Sequence, residues 1–370
     1  MYNIRQFINS NIPGNNYDNT SVKQISDSFL GFVLADSMGV PVEFSQRHIL
    51  KNRPVEFPMG FGTYNQPIGT WSDDTSMTLC ILYEILETGT LDASFIPLAN
   101  RFLDWKNKGY YTPHMKLFDI GITVRESLLN YEINKTLPIY CGGKGERDNG
   151  NGALMRMLPI TVYCIFNNKL SENEKIELIF NQNSITHGHN ISHLCTLFYY
   201  NLYKTILSKV EQIQTTLFSN NLNAITQLKL ECLREAQIIT IEFINNNLKF
   251  KTDAAHLNTI LTSDFTKIKE DDIKSTGFVI HTLEAVIWSF INSNNYSSAI
   301  LKAINLGGDT DTIGAITGSI CGLFYGLDDN ALEWVSTLAR KEEIIYSSYL
   351  LGNICNTIEK PTLYINWYKK

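Results

Sequence analysis

Apolar residues recur at helical spacing along most of the chain, and the two-residue alternation of a half-buried strand is nearly absent. The first clear stripe, Ile25 to Met38, predicts a helix that stops near Gly39, with Pro41 just beyond. Ser72 to Leu86 predicts a second. There Ser72 can cap the helix, Asp73 and Asp74 fall in its first turn, and Met77, Cys80, Ile81 and Ile85 share one face. Further helices are expected over 92–108, 115–130, 153–166, 172–184, 190–220, 222–247 and 268–292, and from about Thr310 to Gly326. Residues 45–70, holding Pro54, Pro58, Pro67 and several glycines, predict a long connection, and Cys141 to Gly152 predicts a glycine-rich loop. Residues 1–20, rich in Asn and Gly, predict a loosely ordered lead-in. Residues 21–370 predict one all-α domain, a compact helical bundle, with the charged stretch Thr266 to Asp272 as a candidate surface insertion.

Two of these helices carry a bare stripe. Gly314, Gly318, Gly322 and Gly326 are spaced by four, as are Gly31, Ala35 and Gly39. Each glycine inside a helix costs about 1 kcal/mol relative to Ala. Close approach of another helix backbone is the compensating gain. The pattern therefore puts both helices, and their acidic ends, at the centre of the bundle.

Composition narrows the partners. The chain is 44% hydrophobic and 18% charged, enough for a large core, and its ten prolines are few enough for long helices. A net charge of −6 with scattered Lys and Arg argues against a nucleic-acid partner. Seven cysteines without a CxxC pair sit mostly in apolar runs, as free thiols do in a reducing compartment. No charged-then-apolar leader is read at the N-terminus. The most apolar stretch, Ile313 to Leu327, is shorter than the roughly 20 residues that span a bilayer. The expectation is a cytoplasmic protein with no membrane partner, most simply a monomer.

The candidate chemistry lies in short constellations. Gly69-Thr70-Trp71-Ser72-Asp73-Asp74-Thr75 and Asn305-Leu306-Gly307-Gly308-Asp309-Thr310-Asp311-Thr312 each place two carboxylates and hydroxyls at a helix start. Either one alone is accounted for by helix capping, worth about 0.3–1 kcal/mol per acidic residue. Both helices look buried, however, and four carboxylates meeting inside a bundle repel one another and lose hydration. The flanking segments offer almost no Lys or Arg. One or two divalent cations are the natural compensation, and all-oxygen ligands select hard ions such as Mg²⁺ or Mn²⁺. This implies a central metal-binding cleft.

Four further segments are candidates. Asp36 lies on an apolar helix, bonded to a neighbouring loop or turned to the site, and Glu43 follows the helix-ending Pro41. In Asp148-Asn149-Gly150-Asn151-Gly152-Ala153-Leu154-Met155-Arg156 a glycine-rich turn opens into a helix, which suits phosphate oxygens, although many helices begin this way. His187, in Thr186-His187-Gly188-His189, is a structural histidine or a substrate contact. Asp119, in Phe118-Asp119-Ile120-Gly121, is a cap or a mobile substrate contact.

These pieces in this order resemble the ADP-ribosylglycohydrolase family, also called the dinitrogenase-reductase-activating glycohydrolase or ADP-ribosyl-acceptor hydrolase family. The likeness is carried by GFVLADSMGVPVEF, GTWSDDTSMTLC, FDIGITVRESL, NGNGALMRMLP, THGH, GFVIHTLEAVIWSF and NLGGDTDTIGAITGSICGLFYG, from Gly31 to Gly326. The resemblance implies an all-α fold with a binuclear Mg²⁺ or Mn²⁺ centre. It implies metal ligands at Ser72, Asp73, Asp74, Asp309, Asp311 and Thr312, with Glu43, Asp74 and Asp309 as catalytic groups. It implies substrate contacts at Asp119, at Asn149, Gly150, Asn151, Gly152 and Ala153, and at His187. The implied substrate is an ADP-ribosylated protein, arginine-linked by preference over serine, and the implied product is ADP-ribose. O-acetyl-ADP-ribose hydrolysis and non-catalytic ADP-ribose binding are the alternatives. Ser72 stands where Thr is usual, and Ala35 where Gly is common. Phe278 and His281 stand where Tyr and Asp are usual, and 200–275 matches poorly.

Overall fold

The two glycine stripes meet each other. Gly318 lies on the Gly31 carbonyl, Gly322 on that of Asp27, and Gly314 on that of Ala35. The helices Thr20–Gly39 and Thr310–Tyr325 therefore touch backbone to backbone, and a Cβ at Gly318 or Gly322 would overlap the facing chain. Every residue of Thr310–Phe324 is buried. Around this pair pack the helices Lys341–Asn353, Tyr296–Ile304, Val279–Ile291 and Asn190–Ser208, and Asp73–Thr88 closes the end that carries the acidic residues. This computed structural model describes residues 4–12, 14–357 and Trp367. The termini of the expected lead-in and domain (1–3, 358–366, 368–370) and Pro13 lie outside the described residues.

The expected all-α architecture is what forms: helices and 3-10 turns, with only isolated bridges among the described residues. Thr20–Val42 is long and apolar enough by composition to cross a membrane, but its apolar window is wholly buried inside this bundle.

Several boundaries differ from the sequence expectation, each for a local reason. Residues expected as a loose lead-in include the helix Ile4–Asn11, which buries Ile4 and Ile8 against Lys341–Asn353. Its three apolar positions, Ile4, Phe7 and Ile8, sit at helical spacing, but so short a run among Asn and Gly residues does not establish a period. The helix expected over 115–130 runs over Ile122–Asn134. Residues ahead of it are drawn into a loop by the Thr112 hydroxyl, which accepts the Lys116 N–H at 3.0 Å, and by Gly109 pressed on the Met115 backbone. The span 190–220 is two helices, Asn190–Ser208 and Val210–Phe218, broken at Lys209. The span 153–166 is a 3-10 turn, Leu154–Arg156, followed by Leu158–Phe166, whose start is set by Pro159. Of 268–292, only Val279–Ile291 is an α-helix, and the long connection 45–70 holds the short helix Arg47–Asn52.

Candidate metal and ADP-ribose site

Two helix starts and one helix end converge at the closed end of the bundle. Gly307 and Gly308 turn with φ of 72° and 75°, a left-handed geometry that suits glycine, and deliver Asp309 as the residue before Thr310–Tyr325. Gly39 lies flat on the backbone of Thr310 and Asp311. The chain leaving Gly39 through the turn Val40–Val42 thus carries Glu43 to the same place, and the Phe44 N–H donates to the Gly308 carbonyl at 2.7 Å.

Asp36 organises the second helix start. Its Oδ1 accepts the Ser72 N–H at 3.0 Å, and its Oδ2 accepts the Thr75 N–H at 3.1 Å and the Thr75 hydroxyl at 2.6 Å. Asp36 is thus bonded to the neighbouring segment, one of its two sequence readings, and it fixes where Ser72, Asp73 and Asp74 point. Burial pushes its carboxyl up to about 6 against the pull of those donors.

The result is a concentration of carboxylates. One oxygen each from Glu43, Asp309 and Asp311 lies within 4.8 Å of the others. Asp74 Oδ2 accepts the Ser72 hydroxyl at 3.1 Å and the Thr312 hydroxyl at 3.2 Å, which joins the two acidic helix starts directly. Burial first, and neighbouring carboxylates second, hold Asp73, Asp74 and Asp311 well above the usual carboxylate range. The same causes, with Asp119 the largest neighbour, push Glu43 up to about 8. No ion pair among the described residues reaches any of these groups. Two of their oxygens, Asp74 Oδ1 and Glu43 Oε2, are buried without a hydrogen-bond partner. Orphaned carboxyl oxygens in an uncompensated acidic cluster are the donor set of a hard divalent cation. The residues present fit such an ion.

Beside the cluster lies a cavity of about 420 Å³. Glu43, Asp73, Asp119, Asp309, Asp311 and Thr312 line it. So do Gly150, Asn151, Gly152 and His187, with Phe44 and Ile122 exposed at the rim. Ser72 and Asp74 lie beneath the lining, and Asn149 and Ala153 lie behind their loop, both almost fully buried. The loop does not open straight into a helix, because the Asn151 N–H is spent on the Gly277 carbonyl at 3.0 Å and a 3-10 turn follows. The Asn151 side chain instead reaches the cluster, donating to Asp309 Oδ2 at 2.7 Å and to the Thr282 hydroxyl at 2.9 Å.

Sequence reasoning passed over Tyr64. Its phenol stands beside the carboxyls of both Glu43 and Asp119 and favours their ionised forms, and its ring packs on Phe118 at 5.2 Å. It stands on the turn Gly62–Tyr64, tied down by the Thr63 hydroxyl donating to the Glu43 carbonyl at 2.7 Å. Nothing periodic marks it within a Pro- and Gly-rich connection. Arg156 is the other omission. It is fully buried without a carboxylate partner, which brings its guanidinium down to about 9, and it donates to the Gly152 carbonyl at 3.0 Å.

With this geometry in hand, comparison with known proteins is decisive. The family model for ADP-ribosylglycohydrolase matches residues 18–358. The chain belongs to the ADP-ribosylglycohydrolase family. Members of the family are glycohydrolases, and the hydrolase reading of this chain follows from the match. The chain is 26% identical over 337 residues to the ADP-ribosylarginine hydrolase Tri1 of Serratia proteamaculans, covering 88% of this chain and 78% of that one. It is 27% identical over 321 residues to the ADP-ribosyl-[dinitrogen reductase] glycohydrolase of Rhodospirillum rubrum, covering 85% and 90%. A solved structure described as an ADP-ribosylglycohydrolase-related protein complex superposes with a TM-score of 0.68 at 23% identity, covering 90% of this chain and 99% of that one. That likeness supports the fold.

Proposed function

We propose that this ADP-ribosylglycohydrolase cleaves the N-glycosidic bond between ADP-ribose and an arginine side chain of a modified protein. The observation that carries the reading is the acidic cluster with two orphaned oxygens, set beside a cavity that a glycine loop also lines. The arginine linkage draws support from the Tri1 relative and from the lining itself, since Asp73 and Asp119 give a guanidinium an anionic environment.

Ser72, Asp73, Asp74, Asp309, Asp311 and Thr312 would hold two divalent cations, Mg²⁺ or Mn²⁺. Bound there, the ions would supply Lewis acidity and neutralise the carboxylates. The rest falls to the chain. Gly150, Asn151, Gly152 and His187 hold the diphosphate and adjoining ribose of ADP-ribose, with Asn149 and Ala153 shaping the loop from behind. Asp119 orients the guanidinium. Glu43, whose Oε2 has no protein partner, takes the proton of the water that attacks C1″ as the C1″–N bond breaks, and that proton returns to the departing guanidine nitrogen. Asp309 and the other carboxylates stabilise the positive charge that develops on the sugar.

Purified protein is incubated with arginine-linked and serine-linked ADP-ribosylated proteins, with Mg²⁺ or with EDTA, and free ADP-ribose is measured. The expected result is release from the arginine-linked substrate, lost in EDTA and in Asp74→Ala and Asp309→Ala. Release only from the serine-linked substrate would overturn the linkage. Binding of ADP-ribose with no release from either would overturn the catalytic reading.

A further inference from the structure

His187, which lines the cavity, is held by a hydrogen-bond relay whose other members, Arg156 and Thr186, have no part in the function proposed above. Arg156 Nη2 donates to the Thr186 hydroxyl oxygen at 2.7 Å, and that oxygen lies 2.8 Å from His187 Nδ1. All three residues are buried, Arg156 and Thr186 completely. The backbone beneath them is fixed. The His187 N–H donates to the Asn183 carbonyl at 2.8 Å, the Gly143 N–H to the Thr186 carbonyl at 3.3 Å, and the Ser127 hydroxyl to the same carbonyl at 3.0 Å. The imidazole lies flush under the loop. A Cβ placed on Gly150 would sit 3.2 Å from His187 Nε2, and one on Gly152 would sit 3.0 Å from its Cε1. Nε2 has no protein partner among the described residues, and His187 lines the cavity.

Counting donors decides the tautomer. A threonine hydroxyl has one proton to give. Arg156 can only donate, so its bond occupies a lone pair of Thr186. Were Nδ1 also to donate, the Thr186 proton would be buried with no acceptor, a loss of about 1–3 kcal/mol. The hydroxyl proton therefore goes to Nδ1, and the ring proton resides on Nε2. The doubly protonated ring is disfavoured twice, by burial and by the adjacent guanidinium, which together hold His187 down to about 3.

We propose that Arg156 and Thr186 are positioning residues that lock His187 as a neutral Nε2–H donor. This donor is aimed past Gly150 and Gly152 at an acceptor oxygen of the bound ligand. The tautomer rests on the geometry alone, and the identity of the ligand as ADP-ribose rests on the function proposed above. A locked neutral donor gives a directional hydrogen bond to a ribose or phosphate oxygen whose strength does not vary with pH across the physiological range.

The test reads the tautomer directly. Full-length protein with ¹⁵N-labelled histidine is observed by long-range ¹H–¹⁵N correlation from about pH 5 to pH 8, without ligand. His187→Asn supplies the assignment. The expected wild-type signal is one Nε2–H tautomer at every pH. Thr186→Val removes the hydroxyl that donates to Nδ1, so the Nδ1 resonance is expected to shift as that bond is lost and the ADP-ribose dissociation constant to rise about five- to tenfold, the equivalent of one hydrogen bond. Thr186→Ser returns the hydroxyl and should restore both, which separates the relay from any loss of fold in the valine variant. An Nδ1–H or cationic His187 in the wild type, or a valine variant with unchanged Nδ1 resonance and affinity, would overturn the proposal. Wild-type protein with the Nε2–H signal that binds no ADP-ribose would overturn the ligand assignment, and with it the proposed function, while leaving the relay standing.

Discussion

At the scale of single residues, the molecule is organised around an electrostatic deficit. Asp36 is raised to about 6, Glu43 to about 8, and Asp73, Asp74 and Asp311 are raised by the same burial and mutual repulsion. An acid whose folded pKa lies above its unfolded value contributes stability below the unfolded value, near pH 4, and that stability is lost as pH rises through the folded value. Without divalent cation, the melting temperature is therefore expected to fall from about pH 5 to about pH 8. Saturating Mg²⁺ or Mn²⁺ should flatten that fall. Thermal unfolding across this range with and without EDTA checks it, and a cation-free melting temperature that rises over the same interval would contradict it. Tyr64 belongs to the same scale. Tyr64→Phe keeps the ring on Phe118 and removes the hydroxyl that stands beside Glu43 and Asp119. Turnover is expected to drop on the order of tenfold, about the worth of one hydrogen bond to a charged group, with ADP-ribose affinity nearly unchanged. Steady-state kinetics beside direct ADP-ribose titration makes the distinction.

At the scale of elements, the fold depends on one crossing. The Thr20–Gly39 and Thr310–Tyr325 helices approach so closely that Gly318 rests on the Gly31 carbonyl. Gly318→Ala improves intrinsic helix propensity, yet it is expected to destabilise the protein by about 1–3 kcal/mol, because the added methyl meets rigid backbone. Urea unfolding measures this, and a stabilised variant would show that the crossing is slack. The spacing of these glycines made the crossing legible in the sequence, since bare positions at i, i+4 have few uses inside a helix. The loop ahead of Ile122–Asn134 was not legible. Its shape comes from Thr112 and Gly109 bonding and packing within the loop, which no periodicity reports.

At the scale of the whole molecule, the proposed ligands come from opposite ends of the chain, Ser72, Asp73 and Asp74 near one and Asp309, Asp311 and Thr312 near the other. An ion bound between them ties the bundle shut. Divalent cation at a hundredfold excess over its dissociation constant is expected to add about 2.7 kcal/mol per site to unfolding stability. The Asp74→Ala variant should lose most of that increment, and chemical unfolding with and without Mg²⁺ reads both. The segment 200–275 contributes no residue to the lining of this cavity. Its longest helix, Leu222–Asn246, packs on Asn190–Ser208 instead. Its last residue touches the site's frame, the Ser275 carbonyl accepting the Asp309 N–H at 2.9 Å.

Helical periodicity by itself determined that this chain is all-α and which helices lie at its centre. The two acidic runs at helix starts determined that carboxylates would gather there. Tertiary structure alone decided which of them face the cavity. Asp73, Asp309 and Asp311 line it, while Asp74 and Ser72 lie beneath and Asp36 is spent on holding Ser72 and Thr75. The reason is geometric. The period of a helix tells which residues share its own face, but what stands opposite that face is set by how closely, and at what register, another backbone crosses it.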